Sequence, residues 1–278
     1  MNKKIELSCE VFPPKGEDYN NKINILLNEI KELYSHNLAL ISVTYGAGGS
    51  NRDNSLKLVK TLNDLKYNVM PHFTCVCSSK EFIEDYLKKI ESLGIKNILA
   101  LRGDEPSEID VCYRDFTGAN DLVKYIRNKT SFNIAVAGYP EKHPKANTLD
   151  EDVQYLKQKI DSGATKIYTQ LFFDNQDFYN FREHCEKYKI NVPIIAGIMP
   201  IISYSGLEKM TQMCASKIPN QLREKLEKYK EDSKAITEIG IEYASEQCLD
   251  LIKNEIDGFH FYALNKSYST VKILNNIM

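Results

Sequence analysis

Short apolar runs bounded by turn residues alternate with longer amphipathic stretches along the chain. Eight runs read as strands: KIELSCEVF from Lys4, LALISVTY from Leu38, NVMPHFTCV from Asn68, NILALRG from Asn97, FNIAVAGY from Phe132, TKIYTQLFF from Thr165, PIIAGIMP from Pro193 and GFHFYAL from Gly258. Most are apolar on both faces, the pattern of parallel strands held between an inner core and a cover of helices. Between them, segments such as NKINILLNEIKELYSHN, KEFIEDYLKKIESLG, TLDEDVQYLKQKIDSGA and NQDFYNFREHCEKYK place apolar residues at three- and four-residue spacing and predict helices. Asp150 or Thr148 can cap the helix that ends near Gly163, and Gly94 after Leu93 fits a helix C-terminus.

Eight strands with intervening helices over about 250 residues match a (β/α)8 TIM barrel. A doubly wound open sheet would show fewer strands and a glycine-rich first turn. No linker or composition shift interrupts the series, so residues 1–278 read as one domain, with an enlarged helical insertion between Tyr204 and Gln247 before the last strand. Such barrels build their active sites from the C-terminal ends of the strands. Here those ends carry Glu10, Thr44 and Tyr45, His72 and Thr74, Arg102-Gly103-Asp104, Tyr139 with His143, Gln170 with Asp174, Pro200, and Asn265-Lys266.

Composition narrows the class. With 42% hydrophobic and 27% charged residues, the 278-residue chain is neither disordered, collagenous nor coiled coil. The balance of 36 basic against 38 acidic residues, net −2, gives no field for nucleic acid or an anionic membrane. Seven scattered cysteines leave at least one unpaired, which fits a reducing cytosol. No signal-peptide pattern and no apolar run of about 18 residues is present, so a soluble cytoplasmic protein is expected. Cys75 and Cys77 near His72 lack a second ligand pair for zinc; they read as small buried thiols, and no metal is expected.

The candidate chemistry sits at the strand ends. Glu10 lies in an otherwise apolar strand, where desolvation raises a carboxyl pKa toward that of a general acid unless a cation pairs with it; a structural ion pair is the competing reading. Asp104 follows an Arg-Gly turn and is either a second functional carboxylate or a turn and capping residue. His72 and His143 read as hydrogen-bonding groups rather than metal ligands. No G-x-S-x-G elbow is present, and YGAGGS from Tyr45 does not fit G-x-G-x-x-G, leaving it a loop or a phosphate nest. Lys159 is either a ligand for an anion or a solvated lysine, and Phe172-Phe173 reads as core.

Eight motifs in order, CEVFPPK, SVTYGAGG, PHFTC, LRGD, AGYPEKHP, TQLFFD, AGIMP and FHFYALN, span practically the whole chain, which resembles the methylenetetrahydrofolate reductase family. The resemblance implies a (β/α)8 barrel holding FAD non-covalently. It further implies ping-pong hydride transfer from NADH or NADPH through FAD to 5,10-methylenetetrahydrofolate, giving 5-methyltetrahydrofolate for methionine synthesis. Glu10 matches the acid that protonates the folate N10, and Asp104 the aspartate whose charge favours a cationic folate intermediate. Gln170 matches a glutamine that meets both folate and nicotinamide.

For FAD the resemblance assigns Thr44, Tyr45, Ala47, His72, Arg102, Gly103, Asp104, Ala119, Tyr139, His143, Asp152 and Lys159. For folate it adds Tyr204, Met210 and Lys266, the last replacing an arginine and so losing its bidentate fork. Tyr155 and Gln158 depart from the family's usual FAD contacts, and Gly206 has no side chain where some relatives carry Gln. Larger members append a regulatory domain for which this chain would have no residues left; a homo-oligomer without nucleic-acid or membrane partners is expected. A flavin barrel of proline-dehydrogenase type and a non-catalytic flavin- or folate-binding scaffold are the alternatives.

Overall fold

The computed structural model describes residues 4–16, 18–45, 52–104, 112–113 and 115–278. All eight anticipated strands form: β1 (Glu6–Val11), β2 (Leu40–Val43), β3 (Val69–Thr74), β4 (Asn97–Leu101), β5 (Asn133–Gly138), β6 (Lys166–Leu171), β7 (Ile194–Ile198) and β8 (Gly258–Phe261). They pair in sequence order, all parallel, and β8 closes on β1 through Leu7↔Phe259 and Cys9↔Phe261. The protein is a single (β/α)8 barrel.

Helices α1 (Tyr19–Tyr34), α2 (Arg52–Asp64), α3 (Lys80–Ser92), α4 (Ala119–Lys129), α5 (Leu149–Asp161) and α6 (Asn175–Lys187) alternate with the strands. The anticipated insertion is α7 (Tyr204–Cys214), α8 (Asn220–Glu227) and α9 (Ser233–Lys253), followed after β8 by α10 (Tyr268–Ile277). Helix punctuation follows side-chain chemistry. Thr148 is the N-cap of α5 and accepts from the Glu151 amide, which decides between the two cap candidates. Asp150 instead pairs with Lys187 at 2.5 Å and accepts from the Tyr188 hydroxyl at 2.6 Å. Gly94 follows the C-cap Leu93 of α3 with φ +74°, a left-handed turn that glycine adopts without steric cost.

The main core lies between barrel and helices, where Leu7, Cys9, Val11, Ile41, Val43, Phe73 and Phe259 of the strands meet Leu26, Ile30, Leu58, Ile83, Leu122, Val153 and Phe178. Phe172 and Phe173 are core residues, and Phe172 stacks on Phe178. A second cluster under the insertion packs Leu171, Phe173, Met199 and Ile201 against Leu207, Leu222, Leu226 and Ile236.

Inside the barrel, Leu40, Met70, Leu99, Ala135, Tyr168 and Ile195 form an apolar plug. Toward the mouth the interior mixes Leu101 and Ala137 with polar side chains, so β1, β6 and β8 depart from the expectation that most strands are apolar on both faces. Along β1 the odd positions Leu7, Cys9 and Val11 join the outer core, leaving Glu6, Ser8 and Glu10 on the other face. The His260 ring is held between two serine hydroxyls, Nδ1 to Ser8 Oγ at 2.8 Å and Nε2 to Ser42 Oγ at 3.2 Å.

One cysteine expectation is corrected. Cys75 is a buried free thiol, but Cys77 is disulfide-bonded to Cys112. Cys77 lies past the end of β3 in a left-handed turn (φ +53°) and bridges Tyr113, so it leaves the strand core and meets a residue 35 positions away.

Candidate active site

A cavity of about 240 Å³ opens at the C-terminal end of the barrel. Its walls come from β1 (Glu10), β3 (His72), β6 (Tyr168, Gln170) and β8 (His260), with Tyr139 and Tyr262 just beyond their strands and Met210 and Cys214 reaching over from α7. Strand alternation explains this set, because Glu10, Gln170 and Tyr262 each stand two residues beyond another inward side chain, Ser8, Tyr168 and His260. Gly197 makes room for Tyr262: a Cβ there would lie 2.8 Å from the ring and 2.3 Å from the Thr169 carbonyl oxygen. The Tyr262 hydroxyl donates to that same carbonyl at 2.7 Å.

Glu10 is the distinctive group of the cavity. Burial pushes its carboxyl up from its ordinary 4.5 to about 7. Among the described residues, the basic group in ion-pair range is His72, whose Nε2 lies 3.7 Å from Oε2. Burial drives the His72 ring down to about 3 and the His260 ring, by burial and then by His72, also to about 3, so both imidazoles are neutral near pH 7. Among the described residues, no lysine or arginine pairs with Glu10 as the ion-pair reading would require. Glu6 holds that role, paired with Lys166 at 2.5 Å and accepting from the Tyr168 hydroxyl at 3.2 Å.

Beside the cavity, the ends of β4 and β5 gather a set of polar groups. Lys159 is half-buried on α5 and donates from Nζ to the Ala137 carbonyl at 2.9 Å; burial lowers its pKa to about 8, against an opposing pull from Asp152. It is not the solvated lysine that its position in a helix would suggest. The Asp152 carboxylate accepts from the His143 amide at 2.9 Å, and the His143 ring packs edge-on against Tyr139 with centroids 4.8 Å apart. Burial lowers the His143 pKa and raises those of Asp152 and Tyr139. Asp104 is exposed, and its charge raises Tyr139 and His143. It does not join Glu10 in a coupled carboxylate pair, since burial alone shifts Glu10. Gly103 needs its positive φ of +83° and its missing Cβ, which would otherwise meet Thr74 Cβ at 2.8 Å and Val76 Cγ1 at 2.9 Å.

The remaining sequence candidates divide by side-chain direction. Gln170 and Met210 line the cavity. Thr44 follows β2 and its amide donates to the Val11 carbonyl at 3.0 Å, while the Tyr45 ring turns into the outer core against Phe73 and Tyr86. Ala47 lies outside the described residues; Ala119 is the first residue of α4. Tyr204 turns away, its hydroxyl donating to Glu227 at 3.0 Å. Lys266 stands apart from the main cavity, in a neighbouring recess of about 200 Å³ with Pro200, Ile202 and Thr270, 3.8 Å from Glu29. Sequence reasoning missed Tyr168, His260, Tyr262 and Cys214. The first three were available as the inward positions of β6 and β8 and the position two beyond; Cys214 had no such signal.

The family model for methylenetetrahydrofolate reductase matches residues 1–278. Among curated relatives, methylenetetrahydrofolate reductase (NADH) 1 of Arabidopsis thaliana is 39% identical over 97% of this chain and 48% of its own length. The 5,10-methylenetetrahydrofolate reductases of Buchnera aphidicola and Pectobacterium carotovorum are 35% and 32% identical, covering 96% and 99% of this chain and 90% of each relative. The chain thus spans about half the length of the plant relatives and most of the bacterial ones. In solved structures, a Clostridium thermocellum protein described as binding two copies of 5-methyl-5,6,7,8-tetrahydrofolic acid has the same fold, with TM-score 0.69 and 16% identity over 99% of this chain and 94% of that one. Xanthomonas albilineans dihydropteroate synthase follows at TM-score 0.55 and 10% identity over 99% and 93%. The full-length family match and the bacterial relatives place this barrel, with its buried acid at the mouth: the chain belongs to the methylenetetrahydrofolate reductase family.

Proposed function

We propose that the protein reduces 5,10-methylenetetrahydrofolate to 5-methyltetrahydrofolate with electrons from NADH or NADPH, using FAD in a ping-pong cycle. The observation that carries this reading is Glu10, a carboxyl raised to about 7 by burial, with no described cation beside it, in the cavity at the barrel mouth. A carboxylic acid still half-protonated near neutral pH is what opening the folate imidazolidine ring requires.

The residues beside the cavity fit a flavin dinucleotide. His72 Nε2 and Thr74 Oγ1 are buried without a hydrogen-bond partner, a polar requirement that a heterocycle or ribityl chain would meet. Lys159, Arg102 and the His143 region offer cationic and amide groups for a diphosphate, and Asp152 an acceptor for a sugar hydroxyl. Thr44, Tyr45, Ala47, Gly103, Asp104, Ala119 and Tyr139 complete the proposed cradle. Bound there, FAD supplies a hydride acceptor for the nicotinamide and a hydride donor for the folate.

Glu10 then delivers its proton to the folate N10, which promotes opening of the five-membered ring to the 5-iminium cation. Neutral His72 and His260 avoid placing positive charge near that cation. Asp104 contributes negative charge from the rim, and Gln170 holds whichever substrate occupies the cavity. Met210 and Cys214 cover the site, and Lys266 takes the folate carboxylate at the rim. The test is anaerobic: purified, FAD-loaded protein should bleach with NADH or NADPH and regain its colour with methylenetetrahydrofolate. Protein that binds no FAD, or that bleaches with proline instead of a nicotinamide, contradicts the proposal.

A further inference from the structure

The turn that carries Arg102, Gly103 and Asp104 is sewn to the segment after β3 by several independent contacts. The Cys75 amide donates to the Leu101 carbonyl at 3.2 Å and the Val76 amide to the Arg102 carbonyl at 2.8 Å. The Cys75 thiol points at the carbonyls of Arg102 and Gly118, at 3.8 and 3.6 Å. Gly103 packs so closely on Thr74 and Val76 that it has no room for a Cβ. Beyond these contacts stands the Cys77–Cys112 disulfide, flanked by the antiparallel bridge Cys77↔Tyr113. Both sulfur-bearing residues are half-buried and Tyr113 is exposed, so this end of the seam faces solvent, whereas Cys9, Cys185 and Cys248 are buried thiols.

We propose that Cys77 and Cys112 form a reversible dithiol–disulfide site, and that its oxidation state sets how firmly the Arg102-Gly103-Asp104 turn is held at the barrel mouth. The bond ties two positions 35 residues apart across β4 and so fixes Cys112, eight residues beyond Asp104, against the segment after β3. With it broken, the seam rests on two backbone hydrogen bonds, the weak Cys75 thiol contacts and the packing of Gly103. The oxidant is a small-molecule disulfide. One thiolate of the pair attacks it and expels one thiol; the second attacks the resulting mixed disulfide and expels the other. The protein thereby gives up two electrons and two protons, and the oxidant becomes two thiols. A dithiol reductant reverses the exchange. The solvent-facing position suits such exchange, and reversible disulfides of this kind are the ones that act as sensors in reducing compartments.

The consequence for flavin affinity rests on the function proposed above, whereas the loop itself is read without it. The full-length protein is poised with oxidised or reduced glutathione and thiols are counted after denaturation; amide hydrogen exchange follows the peptide containing Val76, and FAD binding is followed by fluorescence. The oxidised protein should show five thiols and the reduced protein seven, as the free set Cys9, Cys75, Cys185, Cys214 and Cys248 requires. Reduction should speed exchange at Val76 at least tenfold and weaken FAD binding at least fivefold. Cys112→Ser and Cys77→Ser should sit in the fast-exchanging state whatever the poise. Seven thiols in the oxidised protein, or equal exchange at Val76 in both states, overturns the proposal, and equal FAD affinity in both states overturns its link to the site. A protein that binds no FAD in either state contradicts the flavoenzyme reading instead, while the thiol count and Val76 exchange still decide the role of the pair.

Discussion

Glu6 and Glu10 stand four residues apart on the inward face of β1, yet among the described residues only Glu6 has a lysine partner. Lys166 holds Glu6 near the N-terminal end of the barrel, while Glu10 at the mouth meets a neutral imidazole. One strand thus carries an ion-paired carboxylate and an uncompensated buried one, separated by whether a cation offsets burial.

Glu10 should cost stability at neutral pH. Its folded pKa of about 7 lies above its ordinary 4.5, so the folded state binds more protons and stability falls as pH rises between those values. Glu10→Gln removes this penalty and should stabilise the protein at pH 8 by on the order of 2 kcal/mol, with little gain at pH 4. Chemical denaturation of both proteins at the two pH values checks this; equal stabilities at pH 8 would mean that the carboxyl is not desolvated.

Lys166→Met should act in the opposite way. It leaves the Glu6 carboxylate and the Tyr168 hydroxyl without their cation beneath the apolar plug. The pair is partly solvated, so a loss of about 1–3 kcal/mol is expected. Urea denaturation measures it, and turnover by the surviving folded protein should be nearly unchanged because Lys166 does not line the mouth cavity.

Much of this architecture was legible in the chain. The eight strands could be read because each is a short apolar run ending in turn residues, and the helix ends because Thr148 and Gly94 carry their own chemistry. The polar interior was present too, as the alternation Glu6-Ser8-Glu10, Tyr168-Gln170 and His260-Tyr262, but it is masked when the runs are read as apolar on both faces. Side-chain direction past a strand end was not readable. Tyr45 sits in a motif and Tyr204 in the segment after the seventh strand, yet one ring enters the outer core and the other reaches Glu227. Nor does spacing disclose that Cys77 meets Cys112, since their contact arises from two loops brought together by the β3–β4 pairing.

Lys159→Met should weaken FAD binding without unfolding the barrel. The half-buried ammonium is the proposed partner of an anionic group, and charge-assisted hydrogen bonds contribute about 1.5–3 kcal/mol, or roughly 10- to 100-fold in affinity. Fluorescence titration of the apoprotein with FAD reads this directly; unchanged affinity would remove Lys159 from the cradle.

Gly197→Ala tests the positioning of Tyr262. The new methyl would press on the Thr169 carbonyl oxygen and the Tyr262 ring, so overpacking should cost about 1–3 kcal/mol. The displaced ring should also raise the KM for folate more than it changes flavin reduction. Thermal denaturation and half-reaction kinetics separate the two effects, and a variant with wild-type stability would show that the strand shifts freely.

Glu10 is the proposed acid for the folate and not for the nicotinamide. The most direct measurement compares wild type and Glu10→Gln, both loaded with FAD, in anaerobic stopped-flow half-reactions across pH. Flavin reduction by NADH or NADPH should proceed in both proteins within about threefold, whereas reoxidation by methylenetetrahydrofolate should be lost in Glu10→Gln by about 10²- to 10⁴-fold. In the wild type that second step should decline as pH rises through about 7, where Glu10 gives up its proton. Equal losses in both half-reactions, or a folate step that keeps its rate in Glu10→Gln, would contradict the account.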